Sequence, residues 1–142
     1  MGQVKKSKRS YNMSRIRAKD TKPELVVRKI LFKNGYRYRL HSNRVVGRPD
    51  IIFEKRKKII FVHGCFWHRH ANCKYSTLPK TNKSFWKRKF DDNVRRDKYV
   101  REQLLEMGYE LMVIWECQTK NISDLESMLF DFVGPVHLMD KN

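Results

Sequence analysis

The segment over residues 64–84 constrains the fold more than any other part of the sequence. It has no helical or strand periodicity and is rich in Cys, His, Asn and Pro. An irregular segment of this length in a small domain is usually functional, or is held in place by something other than its own secondary structure. Two thiols and two imidazoles fall within nine of its residues: Cys65, His68, His70 and Cys73. Metal binding is therefore the leading hypothesis for what orders it.

A zinc site is the specific form of this hypothesis. Zinc takes four nitrogen or sulfur ligands in a tetrahedron. Cys65, His70 and Cys73 have a spacing that can wrap around one ion, and Cys117, the third cysteine, can supply the fourth ligand. Four filled positions would make the zinc structural. The alternative is three unrelated buried cysteines. The imidazole ligand stays open among three candidates, which are His63, His68 and His70.

The charge of the chain indicates a polyanionic partner. Its 142 residues contain 32 Lys and Arg against 15 Asp and Glu, a formal net charge of +17. Such a bias in a small domain favours nucleic acid, although an anionic membrane surface is the alternative. No apolar run approaches the about 20 residues of a transmembrane helix, and no signal peptide pattern opens the chain. We expect a cytoplasmic, reducing location, where disulfides are disfavoured.

The domain organisation is predicted to be simple. Residues 1–20 are read as a flexible basic arm that contacts DNA phosphates, the alternative being a tail without a role. Residues 21–134 form a single domain, and residues 135–142 form a C-terminal tail.

The secondary structure is predicted to be mixed α/β. Thr21 and Glu24 form a capping box that starts a helix, which Asn34 and Gly35 end. Strands are expected over residues 36–40, 49–53 and 58–63, the last two forming a hairpin around the charged turn 54–57. Residues 86–107 form a helix, residues 110–115 a buried strand, and residues 124–133 a last helix capped by Ser123.

The long helix carries polar residues on its apolar stripe. Trp86, Phe90, Val94 and Leu104 lie on one side at helical spacing. Asn93, Asp97 and Arg101 share that stripe, and an ion pair between the last two is one way to satisfy them. We interpret these polar residues as structural.

The run Arg48-Pro49-Asp50 at the start of a strand is a candidate catalytic metal site. Phosphodiester cleavage needs a hard cation, and a carboxylate held on a sheet is a suitable Mg²⁺ ligand. An Asp after Pro is more often a turn residue. The run resembles the first half of a restriction-endonuclease-like motif, but the following strand lacks the acid and lysine of the second half.

Several longer runs together resemble the very-short-patch (Vsr) DNA mismatch repair endonuclease family. They include Gly47-Arg48-Pro49-Asp50 and Phe61-Val62-His63-Gly64-Cys65-Phe66-Trp67-His68. Shorter matching runs are Met13-Ser14-Arg15-Ile16, Thr21-Lys22-Pro23-Glu24, Phe85-Trp86, Asn93 with Arg96-Asp97, and Trp115-Glu116-Cys117. The resemblance covers residues 12–118. It implies a restriction-endonuclease-like α/β fold, with a central mixed sheet flanked by helices and a structural zinc site.

The resemblance also implies catalytic roles. Asp50 would bind Mg²⁺ together with the backbone carbonyl of Val62, where the family has threonine. His68 would act as general base or proton relay, since imidazole titrates near neutral pH. The alternative is a spare zinc ligand or a solvent-facing loop histidine. His63 would assist charge at the scissile phosphate, or form a structural hydrogen bond. Glu24 would reach the same site, with capping as the alternative.

The remaining implied residues bind zinc or DNA. Zinc would be held by Cys65, His70, Cys73 and Cys117. Aromatic residues would wedge into the duplex beside the mismatch, with core packing as the alternative, and they are Phe66, Trp67 and Trp86. Phosphate contacts would come from Lys83, Lys87, Arg88 and Lys89.

The implied activity is a Mg²⁺-dependent nick 5′ to the T of a T·G mismatch that arises when 5-methylcytosine deaminates. A cytosine methyltransferase, a repair polymerase and a mismatch-repair linker protein would share the pathway, and the enzyme would act as a monomer. One alternative is a restriction-type nuclease that cuts matched DNA. The other is a zinc-containing DNA-binding module without catalysis.

Overall fold

The computed structural model describes residues 20–136 of the chain. The predicted basic arm, apart from Asp20, lies outside this range, as does the Met13-Ser14-Arg15-Ile16 run. Most of the predicted C-terminal tail over residues 135–142 also lies outside it.

The described residues form a mixed sheet with helices on both faces. The elements are α1 (Lys22–Lys33), β1 (Arg39–Leu40), β2 (Ile51–Phe53), β3 (Lys58–His63), α2 (Lys83–Glu106), β4 (Glu110–Trp115), a 3₁₀ helix (Glu116–Lys120) and α3 (Ile122–Val133). The strand order is β1-β2-β3-β4. The first two pairings are antiparallel, and β3 pairs with β4 in parallel. The predicted α/β class, with a central mixed sheet flanked by helices, is confirmed.

The central strands are buried on both faces because helices cover each side. Ile51 and Ile60 pack with residues of α1 and α3 in one core. Ile52 and Ile59 pack on the other face with Leu104 of α2. All five side chains are at most 1% exposed. Burial on both faces explains why these strands read as continuous apolar runs rather than as an alternating pattern.

The predicted hairpin of β2 and β3 is confirmed, but the first strand is shorter than predicted. Only Arg39 and Leu40 pair with β2, instead of residues 36–40. Tyr36 is 3% exposed and donates its hydroxyl to the carbonyl of Gly134. Its side chain therefore belongs to the core beside α3, and packing there replaces strand pairing.

Two helix starts differ from the prediction. α2 begins at Lys83, three residues before the predicted start. Val94 on this helix is 47% exposed, whereas Val100 is 8% exposed and packs against the sheet. Ser123 does not cap α3, because Asn121 accepts the Asp124 N–H at 3.1 Å and the helix starts at Ile122.

The turn before Asp50 depends on a glycine. Gly47 has φ +82°, a conformation that side chains other than hydrogen rarely adopt. A Cβ placed on Gly47 would lie 2.3 Å from Cγ1 of Val100. The turn thus lies directly on α2, which fixes the chain that enters β2.

We expect Gly47→Ala to lower the free energy of unfolding by about 2 to 4 kcal/mol, because backbone strain adds to overpacking. Gly108→Ala is the matched control: it has φ +91° and no heavy atom within 4 Å of the added Cβ. It should cost only about 1 to 2 kcal/mol. Urea unfolding measures both values. Equal losses would contradict the close packing at Gly47.

Candidate active site and metal centre

The predicted site residues meet at one edge of the sheet. The antiparallel register of β2 and β3 puts Asp50, the residue before β2, beside the end of β3. The parallel register pairs His63, the last residue of β3, with Trp115, the last residue of β4. Cys65 and Cys117 each follow two residues further along the chain. Strand pairing therefore assembles two clusters of polar side chains at the same edge.

Asp50 is held against the end of β3. Its Oδ2 accepts the Val62 N–H at 2.7 Å, and its side chain is 16% exposed. Burial raises the pKa of Asp50 to about 7, although the Val62 N–H lowers it; the nearby Glu24 carboxylate raises it and the His68 imidazole lowers it. An ionised Asp50 would therefore be favoured by a cation placed next to it.

Glu24 forms the centre of a charged cluster beside Asp50. It is 1% exposed and pairs with Arg28, which also pairs with Asp20. His41 Nε2 lies 2.9 Å from Glu24 Oε2 and 3.9 Å from Asp50 Oδ1. The ligand atoms of Asp20, Glu24 and His41 lie within 4.8 Å of one another. A buried carboxylate needs such partners, because an unpaired buried charge is costly.

The capping box predicted for Glu24 is only half formed. Its backbone N–H donates to Thr21 Oγ1 at 3.4 Å, so Thr21 is the N-cap as predicted. The Glu24 carboxylate accepts the N–H of Asp20 at 3.2 Å instead of that of Thr21. Its other oxygen faces Arg28 and His41. Glu24 is thus placed to serve the cluster as well as the helix end.

Two stacked histidines lie across from the carboxylates. The rings of His63 and His68 are 3.8 Å apart between centroids and nearly parallel. His68 Nδ1 lies 2.6 Å from Asp97 Oδ2 of α2. Burial, and then His68, lowers the pKa of His63 to about 4, while Asp97 opposes the shift and Arg101 adds to it. His63 is therefore neutral near pH 7.

The second cluster contains the predicted zinc ligands. One ligand atom from each of Cys65, His70, Cys73 and Cys117 lies within 4.8 Å of the others. His70 Nδ1 is 3.7 Å from Cys65 Sγ and 3.5 Å from Cys117 Sγ. All three cysteines are free thiols. Three sulfurs and one imidazole are a donor set that suits zinc, so this cluster fits a metal ion.

Neighbouring groups shift the pKa values of the thiols and fix the positions of the donor atoms. Burial raises the pKa of Cys65 to about 12, whereas a backbone N–H of Tyr75 lowers the pKa of Cys73. The Cys117 N–H donates to Cys65 Sγ at 3.4 Å. Trp115 stacks on His70, with centroids 4.2 Å apart. The end of β4 therefore fixes both the fourth thiol and the imidazole plane.

The predicted wedge residues pack together where the loop meets α2, in a group that we call the aromatic cluster. It comprises Phe66, Trp67, Trp86 and Phe90. Phe66 is 5% exposed and Trp86 is 9% exposed, whereas Trp67 is partly exposed. Asn93 donates to the Trp67 carbonyl at 3.2 Å, which ties the loop to α2.

Sequence reasoning missed three partners in the site. Asp97 was interpreted as a structural partner of Arg101, but His68 is the group at ion-pair distance. The position of Asp97 on the apolar stripe of α2 was the available sign that it needed a buried partner. Arg28 lies four residues after Glu24 on α1, and this spacing was the available sign of an ion pair within the helix. His41 had no comparable sign, since its link to Glu24 depends on the approach of the chain after β1 to α1.

A family model described as DNA mismatch endonuclease Vsr matches residues 1–74, slightly more than half of the chain. The chain belongs to the Vsr family. The resemblance seen in the sequence is thereby confirmed, and its restriction-endonuclease-like fold agrees with the mixed sheet between helices.

Full-length relatives support the same membership. The type II nicking enzyme V.NmeAIP of Neisseria meningitidis is 46% identical over 115 residues, which are 81% of this chain and 81% of the relative. The type II nicking enzyme V.XorIIP of Xanthomonas oryzae is 39% identical over 128 residues, covering 90% and 93%. The DNA mismatch endonuclease Vsr of Escherichia coli is 37% identical over 112 residues, covering 79% and 71%. The chain is therefore a Vsr-family DNA endonuclease.

The predicted phosphate-contacting residues of this Vsr-family chain lie on the surface. All four are exposed in the first two turns of α2: Lys83, Lys87, Arg88 and Lys89. Within residues 20–136, no helix has both the length and the apolar character needed to cross a bilayer.

We expect Asp50→Asn to stabilise the metal-free fold at alkaline pH. The folded-state pKa of Asp50 is raised to about 7, above its value in the unfolded chain. The free energy of unfolding of wild type therefore falls as the pH rises through about 7, because the carboxyl group must ionise in a partly buried place. The variant should gain about 1 to 3 kcal/mol over wild type at about pH 8 and almost nothing at about pH 4. Urea unfolding in magnesium-free buffer measures this. A gain that is equal at both pH values would contradict the buried-charge explanation.

Proposed function

We propose that the protein is a Mg²⁺-dependent endonuclease that nicks one strand 5′ to the T of a T·G mismatch, as produced by deamination of 5-methylcytosine. The observation that carries this proposal is the convergence of Asp50 and Glu24 with the His68–Asp97 pair at one sheet edge. Carboxylates and a positioned imidazole are the groups that metal-assisted phosphodiester hydrolysis requires. Family membership supports the reaction class.

The carboxylates supply a fitting site for the divalent ion. Asp50 and Glu24 offer hard oxygen donors. The pKa of Asp50 is raised by burial, which means that its ionised carboxylate lacks a neighbouring positive charge strong enough to offset the lost hydration. Val62, whose N–H anchors Asp50, would add its backbone carbonyl, a ligand that does not depend on side-chain identity. Mg²⁺ bound here would polarise the phosphate and lower the pKa of water.

His68 is the proposed general base. Asp97 accepts a hydrogen bond from the Nδ1–H of His68, which leaves Nε2 free to take a proton from the attacking water. His63 stays neutral because burial lowers its pKa to about 4, so the stacked ring does not oppose a positive charge on His68. His63 then assists at the phosphate as a neutral N–H donor.

We propose that Cys65, His70, Cys73 and Cys117 bind one structural zinc. Their donor atoms are already gathered, and all four positions would be filled by protein. Bound zinc would tie the loop that carries His68 to the end of β4. The ion would thus order the site without taking part in the reaction.

The aromatic cluster is the proposed mismatch reader. Unstacking a base step costs a few kcal/mol, and a wobble pair lowers that cost. Trp67 is the partly exposed member and would enter the duplex. Phe66 and Trp86 are buried behind it and would form the base of the same wedge. The exposed Lys83, Lys87, Arg88 and Lys89 would hold phosphates.

A second candidate is the nicking of matched DNA at a defined sequence. Several relatives of this chain are named type II nicking enzymes, which favours keeping this alternative. A DNA-binding module without catalysis has no such support. In the mismatch pathway, a cytosine methyltransferase, a repair polymerase and a mismatch-repair linker protein would act with this enzyme. The enzyme itself would act as a monomer in the cytoplasm.

We expect wild-type protein with Mg²⁺ to nick the T strand of a T·G duplex and to leave the matched T·A duplex intact. Asp50→Ala should abolish nicking because the main carboxylate ligand is gone, while DNA affinity stays within about threefold. Strand-resolved gels and binding titrations over a panel of flanking sequences measure both. Equal cutting of matched and mismatched duplexes would support the second candidate and reject the first.

We expect Asp97→Asn to slow nicking by about 100- to 10,000-fold, because the tautomer and orientation of His68 are no longer fixed. Asp92→Asn is the matched control on the same helix, since Asp92 is exposed and forms a surface ion pair with Arg95. Single-turnover rates at saturating protein separate catalysis from binding. A loss no larger than that of the control would argue against the His68–Asp97 assignment.

A further inference from the structure

Arg69 joins the two sides of the loop that carries the proposed zinc ligands. Its Nη1 donates to the carbonyls of Phe66 and Thr77, each at 3.1 Å, and its Nη2 donates to the carbonyl of Ser76 at 3.1 Å. Phe66 precedes Cys73 in the chain, whereas Ser76 and Thr77 follow it. One guanidinium therefore bridges two chain segments outside the thiol cluster, together with the Ser76 hydroxyl, which donates to the Cys65 carbonyl at 2.5 Å.

The same guanidinium connects the loop to α2. Its central carbon lies 4.1 Å from the ring centroid of Phe90 and 5.7 Å from that of Phe66. Phe66 in turn packs edge-on against Trp67 and Trp86, with centroids 5.3 and 5.6 Å apart. Arg69 thus contacts both the backbone and the rings of the aromatic cluster.

The backbone at Arg69 supports a specific role for this side chain. Its φ is +54°, a left-handed conformation that is uncommon for residues other than glycine. Such a conformation persists only where surrounding contacts fix it. The three hydrogen bonds and the ring contact supply that support. Lysine cannot replace them, because it lacks a planar fork of donors.

We infer that Arg69 is a positioning residue for mismatch recognition, which holds the aromatic cluster in its DNA-reading arrangement through contacts separate from the Cys and His ligands. The inference rests on the proposed function, in which this cluster reads the mismatch. Elements that are ordered before binding lose less conformational entropy when they bind.

The consequence is a specific change in discrimination. Phosphate contacts act equally on matched and mismatched duplexes, whereas the wedge acts only where the stack opens easily. Loss of the Arg69 contacts should therefore lower the ratio of T·G to T·A affinity. It should change the affinity for the matched duplex only as much as the loss of one surface charge does.

The test compares Arg69→Lys and Arg69→Ala with Arg95→Ala. Arg95 is a matched control because it lies on α2, is 75% exposed and pairs with Asp92. We expect both Arg69 variants to lower the T·G to T·A affinity ratio by about tenfold. Arg95→Ala should weaken binding to both duplexes equally. Zinc content should stay at about one ion per chain in all proteins.

A second readout needs no DNA. Acrylamide quenching of tryptophan fluorescence should increase in both Arg69 variants, because Trp67 and Trp86 lose their support, and should not change in Arg95→Ala. If Arg69→Ala does not fold, Arg69→Lys, which retains the charge, carries the same comparison.

The outcomes separate this inference from the proposed function. An unchanged affinity ratio and unchanged quenching in Arg69→Lys would overturn it, as would a parallel loss of zinc, which would place the effect in the metal site. If wild type itself does not distinguish the two duplexes, the mismatch proposal fails, and the quenching result still decides the role of Arg69.

Discussion

The parallel pairing of β3 with β4 is the constraint on which the site depends. It brings the last residues of both strands, His63 and Trp115, to one sheet edge. The chain that follows β3 then turns back over this edge and meets Cys117 at the end of β4, where His70 lies 3.5 Å from its thiol. Because that contact fixes the loop, His68 is stacked on His63 beside Asp50. Without the shared edge, the thiols of the loop would not meet Cys117.

The distribution of charge explains how a strongly basic protein can contain an acidic site. The net charge of +17 attracts the phosphate backbone over a wide surface. At the sheet edge, however, the partly buried Asp50 lies beside the buried Glu24, with Arg28 and His41 as neighbours. A divalent ion would join the two systems, since it is attracted by the carboxylates and also binds a phosphate oxygen.

The sequence predicted what depends on local pattern and unusual side chains. The β2–β3 hairpin, the β4 strand and the gathering of Cys65 with Cys117 follow from apolar runs and from the scarcity of cysteine. Contacts between distant segments had no local pattern. The contact of His41 with Glu24, and the contacts of Arg69 with the loop carbonyls and Phe90, depend on how loops approach helices. The burial of Phe66 likewise depends on α2 passing beneath the loop.

The most direct measurement locates the divalent ion on the protein itself. Fe²⁺ replaces Mg²⁺ in the site, and ascorbate with peroxide then generates radicals beside the bound ion. Mass spectrometry maps the resulting cuts in the polypeptide. If Asp50 holds the ion, cuts are expected next to Glu24, Asp50 and Val62, and they should disappear in Asp50→Ala. Cuts confined to the neighbourhood of the three cysteines, or cuts beside Glu24 and Val62 that persist in the variant, would contradict this role of Asp50.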